Sequence, residues 1–168
     1  MQAVGDQSNM STERTERALF GAGCFWQVEV EYRNTPGVTD VAVGYEGGNL
    51  DHPTYEQVCT DRTGHAEVVE VDYDPDEVPY EQLVERFFEL HDPTQLNRQG
   101  PDVGSQYRSA VFFHSPEQRE VAEAVKEREQ SNFKRPIVTE IEPATTFWPA
   151  EDYHQRYLEK RGLATCRI

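Results

Sequence analysis

Cys24 stands where a reactive thiol would be expected, between a glycine-rich turn and the start of a helix. The turn, residues 21–23, follows a short apolar segment that predicts a strand. The thiol would therefore lie beside free backbone N–H groups and the positive end of the helix dipole. That position lowers the pKa of a thiol and favours the nucleophilic thiolate. Phe25 and Trp26 add aromatic surface beside the sulfur, and a buried, unreactive cysteine among core aromatics is the alternative.

Four polar residues stand at the ends of predicted elements, where strands and loops could bring them to one end of a sheet. Glu67 begins a strand and Tyr55 opens a helical turn, while Asp102 and Tyr107 flank another strand. Taken singly, such a tyrosine usually packs with its hydroxyl in water, and a glutamate that points outward from a strand is usually solvated. Periodicity alone leaves the roles of these four residues open.

The order of the predicted elements is typical of an α+β fold. Strands are predicted at 17–20, 38–45, 66–73, 107–113 and 138–142. Helices are predicted after Cys24, at 55–59, around 83–91, at 116–131 and at 151–160. We expect a two-layer sandwich with helices packed on a mostly antiparallel sheet, a ferredoxin-like core and an irregular C-terminal tail.

Length and charge indicate one acidic domain. At 168 residues the chain is long enough for one compact domain and too short for two. We expect a disordered extension over 1–16 and a single catalytic domain over 17–168, with a tail at 162–168. The net charge of −15, from 31 acidic and 16 basic residues, is typical of a halophilic protein that stays soluble in concentrated salt.

The same composition excludes several partners and compartments. No basic stripe is present that could neutralise the phosphates of a nucleic acid. No apolar run approaches the roughly 20 residues of a membrane span, and the polar N-terminus lacks the apolar core of a signal peptide. The three cysteines, Cys24, Cys59 and Cys166, are typical of catalytic or redox thiols in a cytoplasmic protein. We expect Cys59, at an apolar position of the 55–59 turn, to be a buried structural thiol.

Six segments of the chain follow one another in an order and with spacings that are very specific. They are GCFW at 23–26, PTYEQVC at 53–59, TGHAE at 63–67, HDPT at 91–94, GSQYRS at 104–109 and AEDYHQ at 150–155. Together they closely resemble the A-type peptide-methionine sulfoxide reductases, over roughly residues 17–160. The resemblance implies an enzyme that reduces the S epimer of methionine sulfoxide, free or in proteins, to methionine.

The resemblance also implies a role for each candidate site residue. Cys24 matches the family nucleophile, which attacks the sulfoxide sulfur and becomes a sulfenic acid. Glu67 matches the family acid that protonates the sulfoxide oxygen, and burial would raise its pKa in the direction that this role needs. Tyr55 and Tyr107 match the phenols that hydrogen-bond the same oxygen. Asp102 matches a residue that helps to shape the pocket.

Further positions match the substrate pocket and the recycling step of the family. Phe25 and Trp26 match the apolar pocket for the methyl group of the substrate. Cys166 matches the resolving cysteine, which would form a disulfide with the nucleophile before thioredoxin or a similar dithiol reduces it. His65 and His154 match supporting positions. No cofactor and no metal are implied, and we expect a monomer that repairs oxidised proteins in the cytoplasm.

Two positions depart from the family pattern, and other thiol chemistries are alternatives to it. Gln27 replaces the usual glycine after the tryptophan, and the tail holds only one glycine, Gly162, so an inert tail cysteine is the alternative to a resolving one. Thiol peroxidases, cysteine hydrolases and disulfide-switched redox sensors also use an activated cysteine. The acid and phenols argue against hydrolysis, which would need a base beside Cys24, and their presence as a set argues against a sensor.

Overall fold

The computed structural model describes residues 15–161 of the chain. Its strands are β1 (Glu16–Ala22), β2 (Val38–Glu46), β3 (Ala66–Tyr73), β4 (Arg98–Gln99), β5 (Asp102–Val103), β6 (Ser109–Phe113), β7 (Glu140–Pro143) and β8 (Trp148–Pro149). Its α-helices are α1 (Phe25–Arg33), α2 (Tyr55–Cys59), α3 (Tyr80–Glu89), α4 (Pro116–Glu129) and α5 (Tyr157–Lys160). The predicted tail at 162–168, with Cys166, lies outside the described residues. Of the predicted extension over 1–16, residues 1–14 also lie outside them, whereas Glu16 already belongs to β1, so the predicted boundary is too far along the chain.

Six of these strands form one sheet in the order β7-β6-β1-β3-β2-β8. Neighbouring strands run antiparallel, except β6 and β7, which are parallel. The chain path β1-α1-β2-β3-α3-β6 produces the spatial order β6-β1-β3-β2, which is the ferredoxin-like arrangement. The predicted α+β fold with a mostly antiparallel sheet is therefore confirmed. The strands β4 and β5 form a separate two-stranded hairpin.

The main apolar core lies between the sheet and the helices. On this face Phe20 of β1 stacks on Tyr32 of α1, with ring centroids 5.1 Å apart, and on Phe87 of α3, at 5.5 Å. The opposite face of the sheet holds a smaller apolar cluster that includes Leu19 and Phe112. β1 is buried on both faces from Ala18 to its end. Close packing therefore fixes the position of the end of β1, from which the turn before Cys24 begins.

The prediction of one helix over 151–160 is wrong. Residues Asp152–His154 form a 3-10 turn, Arg156 adopts a left-handed conformation with φ of 56°, and α5 begins only at Tyr157. The cause is a contact with a distant part of the chain. The backbone N–H of Arg156 donates to both carboxylate oxygens of Glu29 on α1, at 2.9 and 3.1 Å, and not to a helical carbonyl.

Some predicted strands are shorter than their patterns suggest. Tyr107 belongs to a 3-10 turn (Ser105–Tyr107), so β6 begins only at Ser109, and β7 begins at Glu140. The two-residue strands β4, β5 and β8 are too short for any alternation to reveal them. Among the helices of residues 15–161, none has the length and apolar character that crossing a membrane requires.

Candidate active site

Cys24 lies where β1 ends and α1 begins, as predicted. It is the N-cap residue of α1 and is half-buried. Gly23 before it has φ of +94°, a conformation that residues with a side chain rarely adopt. Gln99 of the β4–β5 hairpin packs so closely on this glycine that an added Cβ would lie 2.9 Å from its Cγ. The glycine turn and the hairpin therefore fix the position of the thiol together.

Glu67 lies on β3, with only 2% of its surface exposed. Its Oε1 accepts a hydrogen bond from the backbone N–H of Phe25 at 3.2 Å, which places the carboxyl group at the first turn of α1. Burial raises the pKa of Glu67 to about 8; the Phe25 N–H opposes this rise and the charge of Asp102 adds to it. The side chain is therefore mostly protonated at neutral pH, which is the state that a proton donor needs.

The protonation of Cys24 differs from the sequence-based prediction. Its pKa is raised to about 12, because burial and the charge of Glu67 disfavour the thiolate. The backbone N–H groups of Trp26 and Gln27 act in the opposite direction, as expected at a helix start, but their influence is smaller. The prediction of a lowered pKa is wrong because the local pattern shows the start of the helix and not the buried acid beside it.

Tyr55 and Tyr107 reach the site from two short elements that contact each other. Tyr55 opens α2, whose start is fixed by a capping box with Thr54 as the N-cap residue. Tyr107 ends the 3-10 turn that follows the hairpin. Asp61, just after α2, accepts hydrogen bonds from the backbone N–H of Ser105, at 3.0 Å, and from its hydroxyl. These two hydrogen bonds connect α2, which carries Tyr55, to the 3-10 turn that carries Tyr107.

The two phenols interact electrostatically with the other candidate residues. Burial raises the pKa of both phenols above the usual value, and the charge of Glu67 contributes to the rise in each. Tyr107 is also close enough to Asp102 and Cys24 for their charges to act on it. Both phenols therefore keep their protons and can donate hydrogen bonds. The fold brings the thiol, the acid, the two phenols and Asp102 into one site.

Phe25 and Trp26 form an aromatic wall beside the thiol. Residues of the last described segment, His154 and Tyr157, pack against this wall. Trp26 stacks on Tyr157 of α5, with ring centroids 3.8 Å apart. Its Nε1–H donates to Nδ1 of His154 at 3.1 Å, and the buried Phe25 ring lies 5.4 Å from the same histidine. His154 thus supports the wall, as the resemblance implied. Tyr157 was missed by the sequence reasoning, and its place just after the AEDYHQ segment was the only signal that could have revealed it.

A groove of about 490 Å³ opens beside Cys24. Gln99 and Asp102 of the hairpin line it together with Gln27 of α1 and Leu158 of α5. Gln27, the departure from the family glycine, therefore faces this groove and leaves the start of α1 intact. The groove exposes the half-buried thiol and has room for parts of a substrate that extend beyond its reacting sulfur.

Two other residues singled out in the sequence have different outcomes. Cys59 is exposed, so the prediction of a buried thiol is wrong. It ends a single-turn helix in which only Val58 is buried, and its sulfur contacts the hydroxyl of Tyr55. His65 is buried, and both of its ring nitrogens bond the backbone of the loop at residues 48–50, at 3.0 and 2.7 Å. It therefore holds a loop, in keeping with a supporting position.

Comparison with known proteins identifies the family to which this site belongs. The family model described as peptide methionine sulfoxide reductase matches residues 16–168. The peptide methionine sulfoxide reductase MsrA of Acidobacterium capsulatum is 68% identical over 154 residues, which cover 90% of this chain and 99% of the relative. The chain belongs to the peptide methionine sulfoxide reductase family. It is therefore an oxidoreductase that reduces methionine sulfoxide, and the peroxidase, hydrolase and sensor alternatives are set aside.

Solved structures of a yeast protein share the fold of this chain. The reduced form of Mxr1 from Saccharomyces cerevisiae matches with a TM-score of 0.85 and 38% identity, over 89% of this chain and 87% of that one. A structure of the same yeast protein in complex with Trx2 matches with a TM-score of 0.62 and 27% identity, over 86% of this chain and 85% of that one. The fold that positions Cys24 is thus shared with both yeast structures.

Proposed function

We propose that this reductase acts on the S epimer of methionine sulfoxide, free or in proteins, through a sulfenic acid on Cys24. One observation carries the proposal. Glu67 is buried, holds a proton near neutral pH and is fixed by the Phe25 N–H at the start of the helix that Cys24 caps. A proton donor beside a thiol suits reduction of a sulfoxide, whose oxygen is a poor leaving group until it is protonated.

The reaction moves one oxygen atom from the substrate sulfur to the sulfur of Cys24. Cys24 attacks the sulfoxide sulfur while Glu67 gives its proton to the sulfoxide oxygen. Methionine leaves, Cys24 becomes a sulfenic acid, and the former thiol proton returns to Glu67, so no proton is consumed from outside. The raised pKa of Cys24 suits this sequence, because the thiol keeps its proton until the proton of Glu67 moves onto the substrate.

The remaining site residues bind the two ends of the sulfoxide group. Tyr55 and Tyr107 donate hydrogen bonds to its oxygen and stabilise the charge that develops there. Phe25 and Trp26 hold the methyl group, where sulfur–aromatic contact contributes about 0.3–1.5 kcal/mol. Asp102, in the groove beside Cys24, shapes the pocket on the remaining side.

We assign recycling to Cys166 and an external dithiol. Cys166 attacks the sulfenic acid of Cys24, releases water and leaves a disulfide, which thioredoxin or a similar dithiol reduces. Cys166 follows Arg161, the last described residue, by five positions, and five extended residues span up to about 18 Å. The yeast complex with Trx2 supports the choice of reductant. Turnover with thioredoxin that is unchanged in Cys166→Ser would remove this assignment.

We also propose that the enzyme works in the cytoplasm. The three widely spaced cysteines, which lack the pattern of a disulfide scaffold, support a reducing cytoplasm. The net charge of −15 supports a protein that works without nucleic acid or an anionic membrane surface. We take the enzyme to act as a monomer, and light scattering across a range of protein concentrations tests that statement.

The proposed function is tested by following the two epimers separately. Blocked S and R methionine sulfoxides are incubated with the enzyme and dithiothreitol, at low and at high salt, with Cys24→Ser alongside. We expect consumption of the S epimer alone, and none in the variant. Consumption of the R epimer, or turnover that survives in Cys24→Ser, would contradict the proposal.

A further inference from the structure

Glu151, in the loop between β8 and the Asp152–His154 turn, joins two elements that are distant in the chain. Its Oε1 accepts a hydrogen bond from the hydroxyl of Tyr45 on β2 at 2.9 Å. Its Oε2 accepts one from the backbone N–H of Tyr55 at 2.9 Å. A single carboxylate therefore connects a buried strand of the sheet to the first residue of α2.

The two hydrogen bonds connect an N–H group that is unpaired within α2 to a rigidly packed residue of the core. Tyr55 is the first residue of α2, and the first N–H groups of a helix have no acceptor within the helix. Tyr45 is fully buried and its ring lies 5.8 Å from that of Phe25, so it is a fixed point in the core. Burial would raise the pKa of Glu151, but the hydrogen bonds it accepts outweigh burial and lower it. The carboxylate is therefore charged and can accept both bonds.

The same loop also holds the ring of Tyr55. His154, three residues after Glu151, lies with its ring 4.5 Å from that of Tyr55. Because Nδ1 of His154 accepts the Trp26 N–H, the proton of the neutral imidazole is on Nε2. That Nε2 is buried, lies 4.0 Å from Oε1 of Glu151 and has no hydrogen-bond partner among residues 15–161. The loop therefore fixes the backbone of Tyr55 through Glu151 and its ring through His154.

We propose that Glu151 is a positioning residue for sulfoxide reduction, which acts by holding the phenol of Tyr55 where it meets the sulfoxide oxygen. The inference rests on the proposed function, in which that phenol donates to the substrate. Glu151 itself does not touch the reacting atoms. Displacement of a catalytic group by a fraction of an ångström is enough to slow a reaction severalfold or more.

A double-mutant cycle separates positioning from general support of the fold. Glu151→Leu removes both carboxylate oxygens, so the hydrogen bonds from the Tyr45 hydroxyl and from the Tyr55 N–H are both lost. We expect kcat/KM for the S sulfoxide to fall about tenfold, mainly through kcat, in the native and Tyr107→Phe backgrounds. In the Tyr55→Phe background the same change should cost less than about twofold, because the phenol to be positioned is gone.

Control variants keep the test decisive. Glu56→Gln removes an exposed charge one residue from Tyr55 and should leave kcat/KM unchanged. If Glu151→Leu does not fold, as judged by thermal melting, Tyr45→Phe replaces it, because it removes the hydroxyl that donates to the same carboxylate. A fall in kcat/KM that is as large in the Tyr55→Phe background as in the native one would overturn the inference. Full activity of Tyr55→Phe alone would instead refute the role given to this phenol in the proposed function, and the inference with it.

Discussion

Two opposing influences set the protonation of Cys24 and Glu67. Backbone N–H groups at the start of α1 favour a negative charge on either side chain, whereas burial disfavours a charge on both. Burial is the larger influence, so the site holds a thiol and a carboxylic acid near neutral pH. Both protons that the proposed oxygen transfer moves are therefore present before the substrate arrives.

The first prediction concerns the acid. Glu67→Gln should slow methionine formation in a single turnover by about a hundredfold or more, because an amide cannot give up a proton. In the native enzyme this rate should fall as pH rises through about 8, since the acid form is lost there. Rapid-quench measurements without an external thiol, from about pH 6 to about pH 10, report this step alone.

Glu46→Gln is the matched control for the first prediction. Glu46 is also fully buried, and burial raises its pKa to about 7. Its neighbour Tyr45 belongs to the helix-covered core, so Glu46 points to the opposite face of the sheet, where it accepts the N–H of Thr145. Its variant should keep the native rate and pH profile. A pH profile that is the same in Glu67→Gln as in the native enzyme would contradict the assigned acid.

The second prediction concerns the thiol. In a background with Cys59→Ser and Cys166→Ser, iodoacetamide should alkylate Cys24 with an apparent pKa well above the ordinary thiol value of 9.0. Adding Glu67→Gln should lower that pKa, because it removes a negative charge beside the sulfur. Alkylation with an apparent pKa below about 8 would show that the helix start and not burial governs the thiol.

At the scale of elements, the backbone turn before α1 should matter as much as the side chains. Gly23→Ala forces a side chain into a left-handed conformation and against Gln99, so it should lower the free energy of unfolding by about 2 kcal/mol or more and reduce kcat. Gly100→Ala is the control for stability. Gly100 also has positive φ, but an added Cβ there meets no atom within 4 Å, so only the conformational cost of about 1 kcal/mol applies. Urea unfolding compares the two, and equal losses would contradict the close packing around Gly23.

The sequence predicts correctly those helices and strands that are stabilised by contacts between neighbouring residues. It fails where contacts between residues far apart in the chain determine the backbone conformation. α2 spans 55–59 as predicted, because its capping box lies within the same few residues. The helix predicted over 151–160 is broken because the N–H of Arg156 bonds Glu29, 127 positions earlier in the chain. The candidate residues that the fold brings together around Cys24 could be selected from their motifs. Their protonation could not, because the pKa of Cys24 depends on burial and on a neighbour from another strand.

At the scale of the whole molecule, the 31 acidic side chains outnumber the 16 Lys and Arg side chains that could form ion pairs with them. Arg128 of α4 pairs with Glu81 and Glu85 of α3 at 3.0 and 2.6 Å, and all three side chains are exposed. Exposed pairs of this kind contribute about 0–1 kcal/mol each. The response of stability to salt should therefore depend on the overall charge of −15. Adaptation to high salt stays a prediction. A free energy of unfolding that falls as salt is raised from low to molar concentration would contradict it.

The stability of the whole fold should also depend on pH through its buried acids. The pKa values of Glu46 and Glu67 are raised by burial from about 4.5 to about 7 and about 8. The folded state therefore binds more protons than the unfolded state, so the free energy of unfolding should fall as pH rises from about 4.5 through 8. Glu46→Gln should remove up to about 3 kcal/mol of this dependence, measured by urea unfolding at a series of pH values. An unchanged slope would contradict a protonated Glu46.

The fate of the sulfoxide oxygen tests the central claim most directly. The variant with Cys59→Ser and Cys166→Ser is given one equivalent of S methionine sulfoxide that carries heavy oxygen, without any reductant. Mass spectrometry detects the heavy oxygen on the intact peptide that contains Cys24. A parallel sample is trapped with dimedone, which displaces this oxygen as water and therefore reports only the yield of sulfenic acid. The account predicts one equivalent of methionine and one heavy oxygen on Cys24, or its dimedone adduct in equal yield. Methionine released with Cys24 unmodified, or the oxygen found on another residue, would contradict it.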